Sequence, residues 1–377
     1  MPGRLPHRGR PTAPATSLPY DHPVSDDRAE VMQQILDETY AEAEHAALMW
    51  QTQAWRESRP LAGMRVLDAT PVFHNTLAKY VPLLAAGADL SVWLSPVLPH
   101  GPATADLLRR IGVSTLDTFP VGRTYDVVLD CAGVLATAGS RAGYVELTKS
   151  GQHVYEDCPR PVLMADDSRI KLIETTLGTG DGFIRGLAHF GHTDLSGQSV
   201  VVFGCGKVGR GAAWHALRAG AVVALIDPDP AARAPSGCVL IDANDSESMR
   251  ATVQDAWCIA SATGVAGALS PLCGLVSGSD AILVNLGAED EYGPDMPHDR
   301  VLNAKAPVNF VLAEPTRLAY LDATFALHNA CGVELLSGRH PAGISPPPPH
   351  LEEAILAVTL THSAIGDEVP AIEEELQ

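Results

Sequence analysis

Short apolar runs closed by glycine, proline or polar residues recur along this chain, and between them lie stretches with apolar residues three and four apart. The pattern predicts a helix over residues 28–56, a buried strand in MRVLDATPVF, and a helix in NTLAKYVPLLAAGADL ending at Gly87. It continues with a strand in SVWLSP, a helix in ADLLRRIG closed by Gly112, and a strand in YDVVLDCAG ending near Asp130. Strands alternating with helices predict a parallel sheet, whose ligands gather beyond the carboxyl ends of the strands. That rule places residues 70–75, Ser95 and residues 130–133 around one candidate pocket. A second alternation starts near Leu187 and runs through SVVVFGCG, AVVALID, CVLID, WCIASATG and AILVNLG. The fold expected is α/β, two doubly wound Rossmann-like domains with a cleft between them.

Domain limits follow from composition. Residues 1–27, rich in Pro, Arg, His and Ser without apolar periodicity, predict a disordered leader. Residues 28–186 form a first domain for substrate and 187–339 a second. Residues 340–377 hold the run HPAGISPPPPH and a helical pattern. Four consecutive prolines make a rigid extended connector, read here as a hinge returning the chain to the first domain.

One stretch carries a chemical signature. In VVVFGCGKVGRG an apolar strand runs into Gly204, Gly206 and Gly209, with Lys207 and Val208 inside the turn and a helical segment behind it. Gly204 allows a sharp turn, Gly206 lets the backbone approach a pyrophosphate, and Gly209 lets helix and strand pack closely, with the anion on the helix N-terminus. The next strand ends in Asp227, where a carboxylate accepts hydrogen bonds from a ribose and repels a 2′-phosphate. The cofactor expected is NAD. Thr263 and Gly264 close one later strand of this domain and Asn285 and Gly287 another, so these residues are expected to line the dinucleotide cleft.

A formal net charge of −19 disfavours nucleic acid and anionic membranes as partners. No apolar run is long enough to span a bilayer, and the start lacks a secretory core, which predicts a cytoplasmic protein. The seven cysteines are scattered without a CxxC pair, so no metal site is expected.

With these motifs in hand, residues 60–365 resemble the S-adenosylhomocysteine hydrolase family. LSGQSVVVFGCGKVGRGAAWHALRAGAVVALIDPDP is similar to the family's cofactor segment, and DDSRIK, VLDCAG, ELTKSG, SATG, NLGAED and GRHP resemble further family landmarks in the same order. The resemblance implies a homodimer or homotetramer that uses bound NAD to oxidise a sugar hydroxyl, eliminates the 5′ substituent, and re-reduces the ketone. It assigns Lys171 to the hydroxyl proton, Asp130 to the C4′ proton, and His340 to the late active-site histidine. Thr148 and Ser150 stand where the family's threonines contact NAD.

Other family positions are rewritten. The family's early histidine falls on Pro71, leaving His74 nearby, and the glutamate before its threonines falls on Leu147, leaving Glu146 one place away. The aspartate after its lysine becomes Thr175, which joins Thr70 and Thr76 as candidate substrate contacts; its NIGH histidine becomes Ala288. A kept cofactor half and an altered substrate half point to oxidation, loss of water and re-reduction on another small-molecule nucleoside. Such chemistry turns psicofuranosyl adenine (angustmycin C) into angustmycin A, with His74 or His340 protonating the leaving hydroxyl. The alternatives are a divergent adenosylhomocysteine hydrolase and a non-catalytic NAD-bound regulator.

Overall fold

The structure, a computed structural model, describes residues 27–371. All but the last residue of the expected leader lies outside the described residues. The helix expected over 28–56 is two: α1 (Arg28–Asp37) and α2 (Ala46–Ser58). The polar run between them is engaged elsewhere, since the Tyr40 hydroxyl donates to Glu314. No side chain of its own segment caps α2; the N–H groups of Ala47 and Leu48 donate instead to Asp322, at 2.8 and 2.9 Å.

Strand β1 (Arg65–Asp68), helix α3 (Leu77–Ala85), β2 (Asp89–Trp93), α4 (Pro102–Ile111) and β3 (Ser114–Leu116) follow the predicted alternation. Helix α4 has Pro102 in its first turn and stops at Gly112, whose φ of +87° is left-handed. The chain then crosses through β4 (Thr124–Tyr125) to β5 (Val127–Asp130), and through β6 (Gly139–Ser140) to β7 (Tyr144–Glu146) and β8 (Pro161–Met164). A continuous helical stretch comes next: α5 (Ile170–Leu172), a π-helical turn over Ile173–Gly178, and α6 (Thr179–His189).

The second sheet contains β9 (Ser199–Phe203), β10 (Val222–Asp227), β11 (Val239–Asp242), β12 (Cys258–Ser261) and β13 (Ile282–Asn285), with helices α7 (Lys207–Arg218), α8 (Ser246–Gln254) and α9 (Cys273–Ser277). Its order is β11-β10-β9-β12-β13, all parallel. Helices α10 (Leu318–Leu335) and α11 (Pro349–His362), with β14 (Gly343–Ser345) between them, complete the fold. The first sheet has the order β14-β8-β7-β5-β1-β2-β3, also parallel. Strand order reverses at β1 and β5 in one sheet and at β9 and β12 in the other, and a crevice opens at each switch point.

Two boundaries are corrected. Helix α10, expected in the cofactor domain, packs on β5 and β7 and against α2, α3 and α11, so the chain returns to the first sheet by Leu318 rather than at the prolines. Fifteen of its 18 residues are buried, because it is covered from both sides. Helix α6, expected in the first domain, packs on α7 of the second. The proline run, expected as a hinge, follows a paired strand and ends by opening α11, where a missing N–H costs nothing.

Candidate active site

The cofactor crevice lies between the ends of β9 and β12. Gly204 has φ +97°, and a Cβ there would stand 2.4 Å from the Ala262 carbonyl oxygen. A Cβ on Gly209 would fall 1.9 Å from the Gly204 oxygen, whereas Gly206 has nothing within 4 Å of that position. The first and third glycines are therefore demanded by the protein itself, while the second leaves open space before the N-terminus of α7. Asp227 accepts from the Cys205 N–H at 2.6 Å and the Asp229 N–H at 2.9 Å. Beside it is a 610 Å³ cavity walled by Ile226, Met249, Leu269 and Leu272 and reaching Gly204, Gly206 and Thr263. An apolar slot, a carboxylate and a bare glycine turn in sequence fit an adenine, a ribose and a pyrophosphate.

A family model described as "Putative NAD(P)-binding" matches residues 192–293. This region is an NAD(P)-binding Rossmann domain. Among solved structures, the chain is similar to a dipicolinate synthase from Bacillus halodurans, with 14% identity and a TM-score of 0.46 over 74% of this chain and 99% of that one. It is also similar to a transhydrogenase from Sinorhizobium meliloti, with 14% identity and a TM-score of 0.42 over 75% of this chain and 97% of that one. No curated protein matches the sequence. No described helix is long and apolar enough to cross a membrane.

Other residues expected at the cofactor act around the crevice. Buried Glu291 accepts from the N–H groups of Thr263 and Gly264 and from the Thr263 hydroxyl, each at 2.8 Å. Gly287 makes room for it, since a Cβ there would lie 2.0 Å from its carboxylate. Asn285 is fully buried; its amide donates to the carbonyls of Lys305 and Glu289 and accepts from Ser261, so it shapes the loop and does not line the cavity. Val208 packs against the core behind the turn, and half-exposed Lys207 lies 4.0 Å from Asp166 of the first domain. Sequence reasoning missed Glu291, because GAEDEYG reads as a solvated acidic loop.

A second cavity, of 400 Å³, lies between the sheets. Thr70, Asn75, Thr76, Cys131, Thr148 and Glu174 face it from the first domain, and Ala288 and Phe310 from the cofactor side. Phe73, Leu98, Leu147, Leu321 and Phe325 make much of the remaining wall. Lys171 Nζ donates to Glu174 Oε2 at 2.8 Å and is 2% exposed, so it reaches the cavity through that carboxylate. Glu174 is the second residue sequence reasoning missed; its signal was the i,i+3 spacing, which puts it on the face of Lys171. The π turn beginning at Ile173 distorts the helix beside this pair, a deformation frequent at functional sites. The same turn abuts the cofactor helix, where a Cβ on Gly211 would meet the Thr176 carbonyl oxygen at 1.9 Å.

The remaining candidates separate. Asp130 and Glu146 are register partners on β5 and β7, both fully buried. Asp130 accepts from the N–H groups of Cys131 and Leu135 and from the Tyr155 hydroxyl. Burial and the Glu146 charge push it up to about 8, against those donors. Glu146 accepts from the N–H groups of Ala132, Gly133 and Thr148 and from the Thr148 hydroxyl; burial raises it despite these bonds. Neither carboxylate faces the cavity, so the proton-transfer role expected of Asp130 is corrected to one of shaping the loop. Thr148 is shared, for its oxygen also meets Ser150 Oγ at 2.9 Å. Burial, with Glu146 adding to it, lifts the Cys131 thiol well above its usual range.

His74 lies 3.3 Å from the Thr39 hydroxyl and against the Tyr40 ring, and does not line the cavity. His340 bonds Glu334 at 3.1 Å. Glu334 stands nine positions beyond Phe325 on α10, about 13 Å along a helix axis. The general-acid role expected of either histidine is therefore corrected. The Thr175 hydroxyl donates back to the Lys171 carbonyl at 2.8 Å, and it too is not part of the lining. Thr76 lines the cavity with its hydroxyl already donated to Pro71 O. Asn75 donates its amide to Thr316 O, while its Oδ1 is buried without a partner. Among the described residues no cluster of ligands suits a metal ion.

Proposed function

We propose that this chain is an NAD-dependent nucleoside dehydratase of the S-adenosylhomocysteine hydrolase type. It oxidises a sugar hydroxyl, eliminates water from the adjacent hydroxymethyl group, and restores the hydroxyl. The observation that carries the reading is the Lys171–Glu174 pair, a proton-handling couple set in a largely apolar cavity between the two crevices. NAD, when bound in the second sheet's crevice, takes up and returns the hydride.

The chain's own groups supply the rest. Lys171 holds the proton of the reacting hydroxyl, and Glu174, facing the cavity, carries protons between the acidified C–H and the leaving hydroxyl, which needs general-acid help to depart. In the elimination one C–H and one C–O bond break, a C=C bond forms, and one water leaves; the hydride balance is zero. Asn75 Oδ1 asks for a donor such as the amino group of a nucleobase. The apolar walls exclude water, which supports an alkene product over rehydration. They also offer no charged partner for the ammonium and carboxylate of homocysteine, since Glu174 is the one charged residue in the lining and Lys171 pairs with it.

The test is product mass analysis after mixing the as-purified protein with psicofuranosyl adenine or adenosylhomocysteine. Loss of one water from the former without added cofactor is expected. Lys171→Ala and Glu174→Gln should each lower that turnover by about 100-fold or more while NAD stays bound. Release of adenosine and homocysteine would establish a hydrolase, and inertness toward both would remove the nucleoside reading.

A further inference from the structure

The carboxyl end of β1 holds a buried ionic cluster with no part in the chemistry above. Asp68 is fully buried and collects four hydrogen bonds: from the Thr70 N–H at 2.9 Å, the Thr70 hydroxyl at 3.0 Å, the Tyr80 hydroxyl at 3.1 Å, and the Lys79 ammonium. Lys79 is also fully buried, and its ion pair with Asp68 has no access to solvent. Burying two charges is costly, and a pair of apolar residues fills such space at least as well. The one residue that connects the cluster to the inter-sheet cavity is Thr70, which lines it.

We propose that Asp68 fixes the Thr70 hydroxyl as an acceptor-only group that receives a hydrogen bond from an O–H or N–H of the substrate. A hydroxyl has one proton to give, and an ionised carboxylate can only accept. With that proton committed to Asp68, Thr70 presents only lone pairs to the cavity. Lys79 secures the direction of the bond. Burial alone favours a protonated Asp68, and the adjacent ammonium overrides it, holding the carboxyl below its usual range. Were Asp68 protonated, it would become a donor and Thr70 would be free to turn its proton toward the ligand. The cluster thus sets the polarity of one corner of the cavity: a substrate group with a hydrogen to donate is held there, and a group with only lone pairs is rejected. Thr70 is a specificity-determining residue, with Asp68 and Lys79 positioning it. The inference rests on the nucleoside reading for the choice of probe.

The experiment is equilibrium binding to the NAD-loaded protein, using adenosine and four analogues that each lack one donor: purine riboside without the amino group, and 2′-, 3′- and 5′-deoxyadenosine. The wild type should bind one analogue roughly tenfold more weakly than adenosine through loss of the bond to Thr70. Thr70→Val should bind adenosine that much more weakly and show no further loss for the same analogue. Thr70→Ser should restore the discrimination, and Lys79→Met should diminish it. Which analogue responds tells the sugar hydroxyls from the amino group. Should Thr70→Val not fold, Thr70→Ala removes the acceptor without added bulk and is read in the same way. A variant lacking the Thr70 hydroxyl that discriminates among the analogues as the wild type does would overturn the proposal and leave the nucleoside reading standing. Equal wild-type affinity for all five probes would overturn it likewise. A wild type that binds none of the five would overturn both.

Discussion

The two switch points are built alike and furnished differently. In each sheet the loop after the strand beside the switch is gripped by a buried glutamate from the next strand's end or just beyond it. Glu146, the last residue of β7, holds the loop after β5, and Glu291, six residues past β13, holds the loop after β12. Across the switch the resemblance ends. The loop after β9 is a glycine turn that exposes backbone to the ligand, while the loop after β1 is Thr70 anchored to a buried ion pair. A dinucleotide's phosphates are bound by main-chain N–H groups, which need only that side chains keep away. A variable substrate needs side chains of chosen polarity, and these need buried partners to hold them. The difference is one between recognition by absence and recognition by paired groups.

The largest effect should come from testing absence itself. Gly209→Ala puts a methyl 1.9 Å from the Gly204 carbonyl oxygen, so helix and strand must separate. A destabilisation of about 3 kcal/mol or more is expected, with loss of bound NAD. Gly206→Ala meets no protein atom and should leave the unfolding temperature unchanged, yet weaken NAD by about tenfold or more, because the methyl occupies the approach of the pyrophosphate. Thermal unfolding and chromatographic measurement of released NAD check both. Equal behaviour of the two variants would break the distinction between a glycine the fold needs and one the ligand needs.

A smaller effect should separate the two gripping glutamates. Glu291→Gln and Glu146→Gln each replace a carboxylate serving several donors with an amide that turns N–H toward N–H, at a cost of about 2 kcal/mol. Both should lower the unfolding temperature. Only Glu291→Gln should weaken NAD, severalfold, because Thr263 lines the cofactor cavity. Titration of NAD into stripped protein checks this, and an equal loss in Glu146→Gln would mean that the two crevices are coupled.

The same contrast explains what was legible in the sequence. The alternation of short strands and helices announced both sheets, and the cofactor turn was readable because its chemistry is written in consecutive glycines. The substrate half was harder for a physical reason: its working contacts join distant segments. Asp322 caps α2 from about 275 positions away, and α10, apolar on nearly every face, carries no amphipathic stripe to show that it belongs to the first sheet. Glu174 was hidden because a Lys–Glu pair at i,i+3 ordinarily reads as a solvated helix face. His74, His340 and Asp130 were chosen by motif, and each is satisfied by neighbours that only the folded chain supplies.

The smallest expected effect concerns the substrate sheet alone, where two carboxylates are register neighbours. An unfolded aspartate titrates near 3.9, whereas folded Asp130 is pushed up to about 8, chiefly by burial and then by Glu146. Between these values the folded protein holds a proton that the unfolded chain has released, so stability falls as pH rises. The contribution is complete below about pH 4 and gone once pH passes about 8. Asp322, pushed up to about 7 by burial, adds a decline of the same sign. Asp130→Asn removes one of the two, so its unfolding temperature should decline less steeply from pH 5 to 9, with Asp322 supplying the slope that persists. The cofactor crevice should not share this response: Asp227 keeps its position at the mouth of the adenosine slot in that variant, and NAD affinity measured across the same pH range should track the wild type. A wild-type unfolding temperature that rises with pH, or a variant with an unaltered slope, would show that Asp130 stays ionised in the fold beside Glu146. The buried pair would then be held by its N–H donors alone, as Glu291 is in the other sheet, and the two switch points would differ only in their first loops.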